Sequence, residues 1–125
     1  MAVMTVAWTW IIHLNLVRVQ VLIREVIYMS NNTSKTYKII IAIIELFLGI
    51  PFLGGIFIVA HGWAPLVLLF VLHIVGIVIA DKEYKSKAGH ILGIVGNALG
   101  WIPFLGWIFH LIIGITLLIE SLNDR

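Results

Sequence analysis

Four polar side chains interrupt otherwise apolar stretches of this 125-residue sequence: Glu45, His73, Asn97 and His110. An ionisable group at the centre of a bilayer costs about 2.5–3.5 kcal/mol to insert, which makes each a functional candidate by default. At 1.5 Å per helical residue, Glu45 lies roughly 10 Å beyond Lys38 and His73 roughly 12 Å before Asp81. His110 lies roughly 15 Å before Glu120, with Asn97 at a similar distance after Lys87. All four are expected to share one layer. A carboxyl beside one or two imidazoles at low dielectric is the chemical basis of a proton relay or a cation site, because each group changes the proton affinity of the others. The competing expectation is structural: a protonated carboxyl, with His and Asn as hydrogen-bond glue between helices. His61 and His90 fall where the chain is expected to meet the membrane surface, in an ordinary amphipathic role. No two His stand three or four residues apart, so no metal motif is expected.

The elements that must position these groups follow from composition. The chain is 62% hydrophobic and 11% charged, with a mean hydropathy of +1.12. A soluble domain of this size buries only about 60–70% of its surface and has no room for so much apolar area. The sequence therefore predicts an all-α integral membrane protein with lipid as its main partner. Ile39 to Ala60 forms one expected span and Leu66 to Ala80 a second, joined by the turn His61-Gly-Trp-Ala-Pro65. The block from Ala88 to Ile119 would run roughly 48 Å as one helix, longer than a bilayer of about 30 Å. Pro103, between Gly100 and Gly106 and bracketed by Trp101 and Trp107, predicts a reversal. The expected architecture is four short transmembrane helices in two hairpins; the alternative is three spans with a long kinked last helix.

Lys35 and Lys38 precede the first span, and Lys82, Lys85 and Lys87 separate the second from the third. The positive-inside rule then puts the N-terminus in the cytoplasm. Formal charge is +2 and the pI about 9.2, but no basic run is long enough for nucleic acid. With no Cys, neither a disulfide framework nor a thiolate site is open to the chain.

Residues 1–28 read either as a translated leader or as a weak N-terminal helix. Arg24-Glu-Val-Ile-Tyr-Met29 can be encoded by codons that form a bacterial ribosome-binding sequence followed by a start codon, and a bacterial plasma membrane is the location this predicts. The apolar run stops at Arg18, and Val17–Val21 alternates like a strand. Residues 29–38 are then a polar cytoplasmic tail, 39–122 one membrane domain and 123–125 a polar C-terminus. Two sequons, at Asn31 and Asn32, carry no weight without a secretory route.

Gly89, Gly93, Gly96 and Gly100 recur every three or four residues, a smooth strip for close helix packing within the chain or against a second copy. Pro51, Pro65 and Pro103 are the expected kinks or hairpin turns. Pro51 and Pro103 open the near-repeat PFLGGIF and PFLGWIF, where different jobs are expected: Pro51 kinking a continuing span, Pro103 starting a returning helix.

No nucleophile elbow, HExxH or phosphate-binding loop occurs, so no enzyme and no cofactor are expected. Ala42–Gly49, AIIELFLG, resembles the first helix of small proton-coupled drug exporters, which have four short helices and a membrane-embedded Glu there. The resemblance covers that segment alone and implies a transport role for Glu45. The leading expectation is a non-enzymatic accessory, regulatory or immunity-type membrane protein that packs against itself or a larger membrane partner, with a proton-coupled transporter subunit using Glu45 as the alternative.

Overall fold

The computed structural model of the chain describes residues 1–102 and 104–124, with the side chains of 27–31 excepted. It is 84% helix and contains no strand among the described residues. The helices are α1 (Ala2–Asn31), α2 (Thr33–Leu48), α3 (Leu53–Ala60), α4 (Ala64–Lys82), α5 (Ala88–Leu99) and α6 (Leu105–Asn123). Three of them are long and apolar enough to cross a membrane, or up to four spans if the bent pair α2 and α3 counts as one. The chain divides into two units, α1 alone and the segment that begins at Asn32.

α1 is a single uninterrupted helix whose side chains are exposed through Val26. Val17–Val21, alternating like a strand in sequence, is helical, because a helix satisfies every backbone group without a neighbouring strand. The Thr5 and Thr9 hydroxyls donate to the carbonyls of Ala2 (2.8 Å) and Val6 (2.7 Å), so the helix also absorbs its own hydroxyls.

In the second unit α2, α4, α5 and α6 form a bundle in which α6 packs on α2, and α5 lies between α4 and α6. Its apolar core is Ile41, Ala42, Leu48, Leu66, Leu69, Ile113 and Leu117, with Ile58 of α3 against one end. The outer faces stay apolar and open, as at Ile43, Val67, Val71, Ile91 and Ile115. The glycine strip on α5 is spent inside the chain. A Cβ at Gly89 or Gly96 would strike Leu117 or Ile113 of α6, and one at Gly93 or Gly100 would strike His73 or Leu66 of α4. The missing side chains at these points leave room for side chains of the neighbouring helices, a close packing that gains dispersion energy in lipid.

The helix breaks bear on two expectations. Ile39–Ala60, expected as one kinked span, is two helices: α2 ends at Leu48 and α3 leaves it at 98°, the geometry of a broken span or a re-entrant segment. Ala88–Ile119 has the expected reversal rather than the alternative's one long helix: α5 and α6 run antiparallel, with Gly89 facing Leu117 and Gly96 facing Phe109 and Ile113. α2 also starts at Thr33, inside the expected polar tail, and carries Lys38 into full burial.

Both helix breaks fall in the repeated phrase, and its Phe takes the same backbone conformation in each. Phe52 (φ 67°, ψ −49°) and Phe104 (φ 66°, ψ −39°) precede α3 and α6 with positive φ, which costs a non-glycine residue about 1–2 kcal/mol. Gly54 N donates to Ile50 O (3.0 Å) and Gly106 N to Ile102 O (3.1 Å). A Cβ at Gly54 would lie 1.9 Å from Leu48 O, and one at Gly106 2.6 Å from Gly100 O. The two copies therefore do one job, ending a helix and launching the next across its last carbonyls. They differ in the length of the helix they launch, 8 residues for α3 and 19 for α6. Pro103 itself lies outside the described residues. Pro65 sits in the first turn of α4, after Trp63 in the left-handed conformation, where its missing N–H leaves no bond unmade.

Replacing Gly54 or Gly106 with Ala should lower stability by about 2 kcal/mol, as over-packing does. Gly55→Ala, whose Cβ meets nothing within 4 Å, should be neutral or stabilising, and chemical unfolding in detergent micelles measures all three.

Candidate functional site

The bundle brings Glu45, His73, Asn97 and His110 together, one from each of α2, α4, α5 and α6. All four are buried, and Glu45, His73 and His110 are 0% exposed. Glu45 Oε1 contacts His73 Nε2 (2.8 Å) and accepts from Asn97 Nδ2 (2.9 Å), while Oε2 contacts His110 Nδ1 (2.5 Å). Asn97 Nδ2 also donates to Gly93 O (2.9 Å), which fixes its amide toward the carboxylate. Helical periodicity accounts for this convergence. Glu45 shares its face with the core residues Ile41, Ala42 and Leu48, and His110 shares one with Ile113, Gly114 and Leu117.

His90 extends the cluster. It is 1% exposed, and its Nδ1 lies 3.1 Å from His73 Nδ1. The expected surface role for this residue is wrong, because α5 begins only two residues earlier and turns His90 inward, against α4. The two imidazoles are seated reciprocally. A Cβ at Gly76 of α4 would lie 2.4 Å from the His90 ring, and one at Gly93 of α5 would lie 2.2 Å from the His73 ring. Tyr37 packs on the outer side of His90, with ring centroids 5.8 Å apart, and donates its hydroxyl to Leu72 O (2.8 Å). His61 stands apart, exposed, bonded to Phe57 O (2.7 Å) within its own helix turn.

With Glu45 a carboxylate and the three imidazoles neutral, the hydrogen-bond chain has one consistent reading. An ionised carboxylate only accepts, so His73 Nε2 and His110 Nδ1 must both carry hydrogen. A neutral His73 then accepts at Nδ1, and His90 Nδ1–H must be the donor. The imidazole N–H groups then all run toward Glu45, while Asn97 Nδ2 divides its two N–H between Glu45 and Gly93 O. In that state His90 Nε2 and His110 Nε2 are lone pairs, and neither they nor Asn97 Oδ1 has a hydrogen-bond partner.

A second polar layer closes one end of the bundle. Lys38 Nζ, 0% exposed, contacts Asp124 Oδ2 (2.8 Å) and Glu120 Oε2 (3.4 Å). Glu120 Oε1 accepts from Ser86 Oγ (2.6 Å) and from Gly89 N (2.9 Å), so a carboxylate from α6 caps the positive N-terminal end of α5. Glu83 Oε2 accepts from Ser34 N (3.0 Å) and ties the α4–α5 loop to the start of α2. The Lys87–Asp81 pair is exposed and adds little. Neither Lys38 nor Gly76 stands out in the sequence, since their partners lie 86 and 14 residues away and only the folded bundle joins them. His90 carries a signal, one position after Gly89 in the strip, but the strip alone does not tell which neighbour meets it.

No group of three or more His, Asp or Glu among the described residues has the geometry to hold a metal ion. At the far end, an apolar groove of about 610 Å³ runs between α3 and the second helix break, lined by Phe52, Trp63, Trp101, Phe104 and Trp107. No protein-family model, curated protein or solved structure matches the chain.

Lys38→Met removes the cation from between two carboxylates and should cost about 3 kcal/mol, the usual scale for breaking a buried pair from one side. Adding Asp124→Asn should recover part of that loss, and thermal unfolding in detergent compares the single and double variants.

Proposed function

We propose that this chain is a small non-enzymatic membrane protein in which Glu45 binds and releases a proton between the helices, the coupling centre of a small proton-coupled transporter or transporter subunit. The observation that carries it is a carboxylate with no exposure whose two oxygens are filled by His73, His110 and Asn97. Interhelical hydrogen bonds in lipid contribute about 0.6 kcal/mol each on average. Three of them do not offset the several kcal/mol needed to desolvate a carboxylate. Glue alone is cheaper to make from Ser, Thr or Asn. A carboxyl ringed by imidazoles differs from such glue in one respect: Glu45, His73 and His110 can each take up or release a proton, which Ser, Thr and Asn cannot.

The topology that goes with this reading is four spans in two hairpins, α2 with α3 against α4, and α5 against α6. The lysine-bearing end and the start of α2 face the cytoplasm, by the placement of Lys35, Lys82, Lys85 and Lys87, in a bacterial plasma membrane. A second reading, an accessory, regulatory or immunity-type protein whose polar core is only a lock, is supported by the reciprocal seating of His73 on Gly93 and His90 on Gly76. On that reading the open apolar outer faces meet a second copy or a larger membrane partner.

The two readings separate at Glu45→Gln. In lipid vesicles the parent protein should show an infrared carboxyl band that appears on acidification and is absent from Glu45→Gln, with helix content unchanged. A parent protein without a titrating band that depends on Glu45 would overturn the proton reading and leave the lock.

A further inference from the structure

We infer that His73 and His90 form a two-imidazole proton wire that loads Glu45 from the charged end of the bundle, with His90 Nε2 as its mouth. The inference rests on Glu45 being the proton-binding group and adds the path by which the proton arrives.

Three features of the geometry support a wire over a stack of spacers. The contacts are continuous: His90 Nδ1 to His73 Nδ1 at 3.1 Å, then His73 Nε2 to Glu45 Oε1 at 2.8 Å, each within hydrogen-bond reach. With the imidazoles neutral, the N–H groups of His90 and His73 both run toward the carboxylate, and the chain ends at His90 Nε2, a buried nitrogen without a hydrogen-bond partner. A buried acceptor without a partner is costly in a purely structural network, by about 1–3 kcal/mol, and is what a wire needs at its receiving end.

The surroundings of His90 suit that role. From α2 it faces Tyr37 and Lys38, from α4 His73, and from the chain just after α6 Asp124. Lys38 and Asp124 are joined across the bundle end at 2.8 Å, so the mouth lies just behind the ion pair that closes this end. Water reaches His90 when that pair parts.

The transfer balances in three moves. A proton from water adds to His90 Nε2 and makes an imidazolium. Its Nδ1–H passes to His73 Nδ1, and the Nε2–H of His73 passes to Glu45 Oε1. One proton has entered, the carboxylate has become a neutral acid, and both imidazoles are neutral again with their tautomers exchanged. The reverse sequence returns the proton by the same path.

The test is a pH jump on the full chain in lipid nanodiscs, measuring the rate at which the Glu45 carboxyl band appears. His90→Phe keeps an aromatic ring over Gly76 but cannot carry a proton. It should slow the band at least about 100-fold, the lower range for losing a positioned acid–base group, while the final amplitude persists. His90→Ala should be equally slow and should regain rate on addition of imidazole. Gly76→Ala, whose new Cβ displaces the His90 ring without altering any titrating group, should slow loading as well. Parent-like rates in His90→Phe, or a slow His90→Ala that imidazole does not restore, would overturn the wire while leaving Glu45 as the proton site. A parent protein with no band dependent on Glu45 removes the proton reading, and the wire with it.

Discussion

A carboxylate enclosed by four helices has to find all its partners inside the protein. Glu45 has no exposed surface, so each helix that touches it must present a donor at the right depth, and each does so or yields space to one. His73, Asn97 and His110 come from three different helices. None can shift along its axis by a turn, about 5.4 Å, without leaving an oxygen of Glu45 unpaired. In a lipid-facing bundle, where apolar contacts with neighbours and with acyl chains are nearly equivalent, this polar register is what specifies how the helices align.

The glycines follow from that constraint. Imidazoles are bulky for a helix interface, and His73 and His90 fit only because Gly93 and Gly76 stand opposite them. Gly89 makes room for Leu117 and for the Glu120 carboxylate that receives its own N–H. The same carboxylate, with Asp124, surrounds Lys38. α2 and α6 thus contribute to both the central cluster and the closed end, through Glu45 and His110 in one and Lys38 and Glu120 in the other. The helix breaks serve the same end. By stopping α2 at Leu48 and α5 at Leu99, they fix how far each helix runs past the polar layer.

Much of this is legible in the sequence, and the limits have physical reasons. Residue depth is set by the 1.5 Å rise of a helix, so counting from charged residues puts Glu45, His73, Asn97 and His110 at one level without any knowledge of the fold. Counting along a chain says nothing about lateral neighbours. It therefore misses that Gly76 faces His90 and that Lys38 meets Asp124, pairs fixed by the rotation of one helix against another. Sequence misplaces His90 because its position next to charged residues suggests water, whereas the N-terminal turn of α5 is covered by α4, α2 and Asp124 of the C-terminal segment. The break after Leu48 reads as a kink because proline alone permits either outcome; the positive φ of Phe52 and the contact of Gly54 with Leu48 O decide for a stop. α1 is harder still, since its polar residues, among them His13, Arg18, Gln20, Arg24 and Glu25, are scattered through an apolar stretch and mark no clear face.

The most direct measurement is a solid-state NMR distance between the Glu45 side-chain carboxyl carbon and the ring nitrogens of His73 and His110, in the full chain in lipid bilayers. Hydrogen bonds of the observed kind put both nitrogens within about 4 Å of that carbon. A separation beyond about 6 Å to either imidazole, too long for any hydrogen bond to the carboxylate, would contradict a shared centre at Glu45.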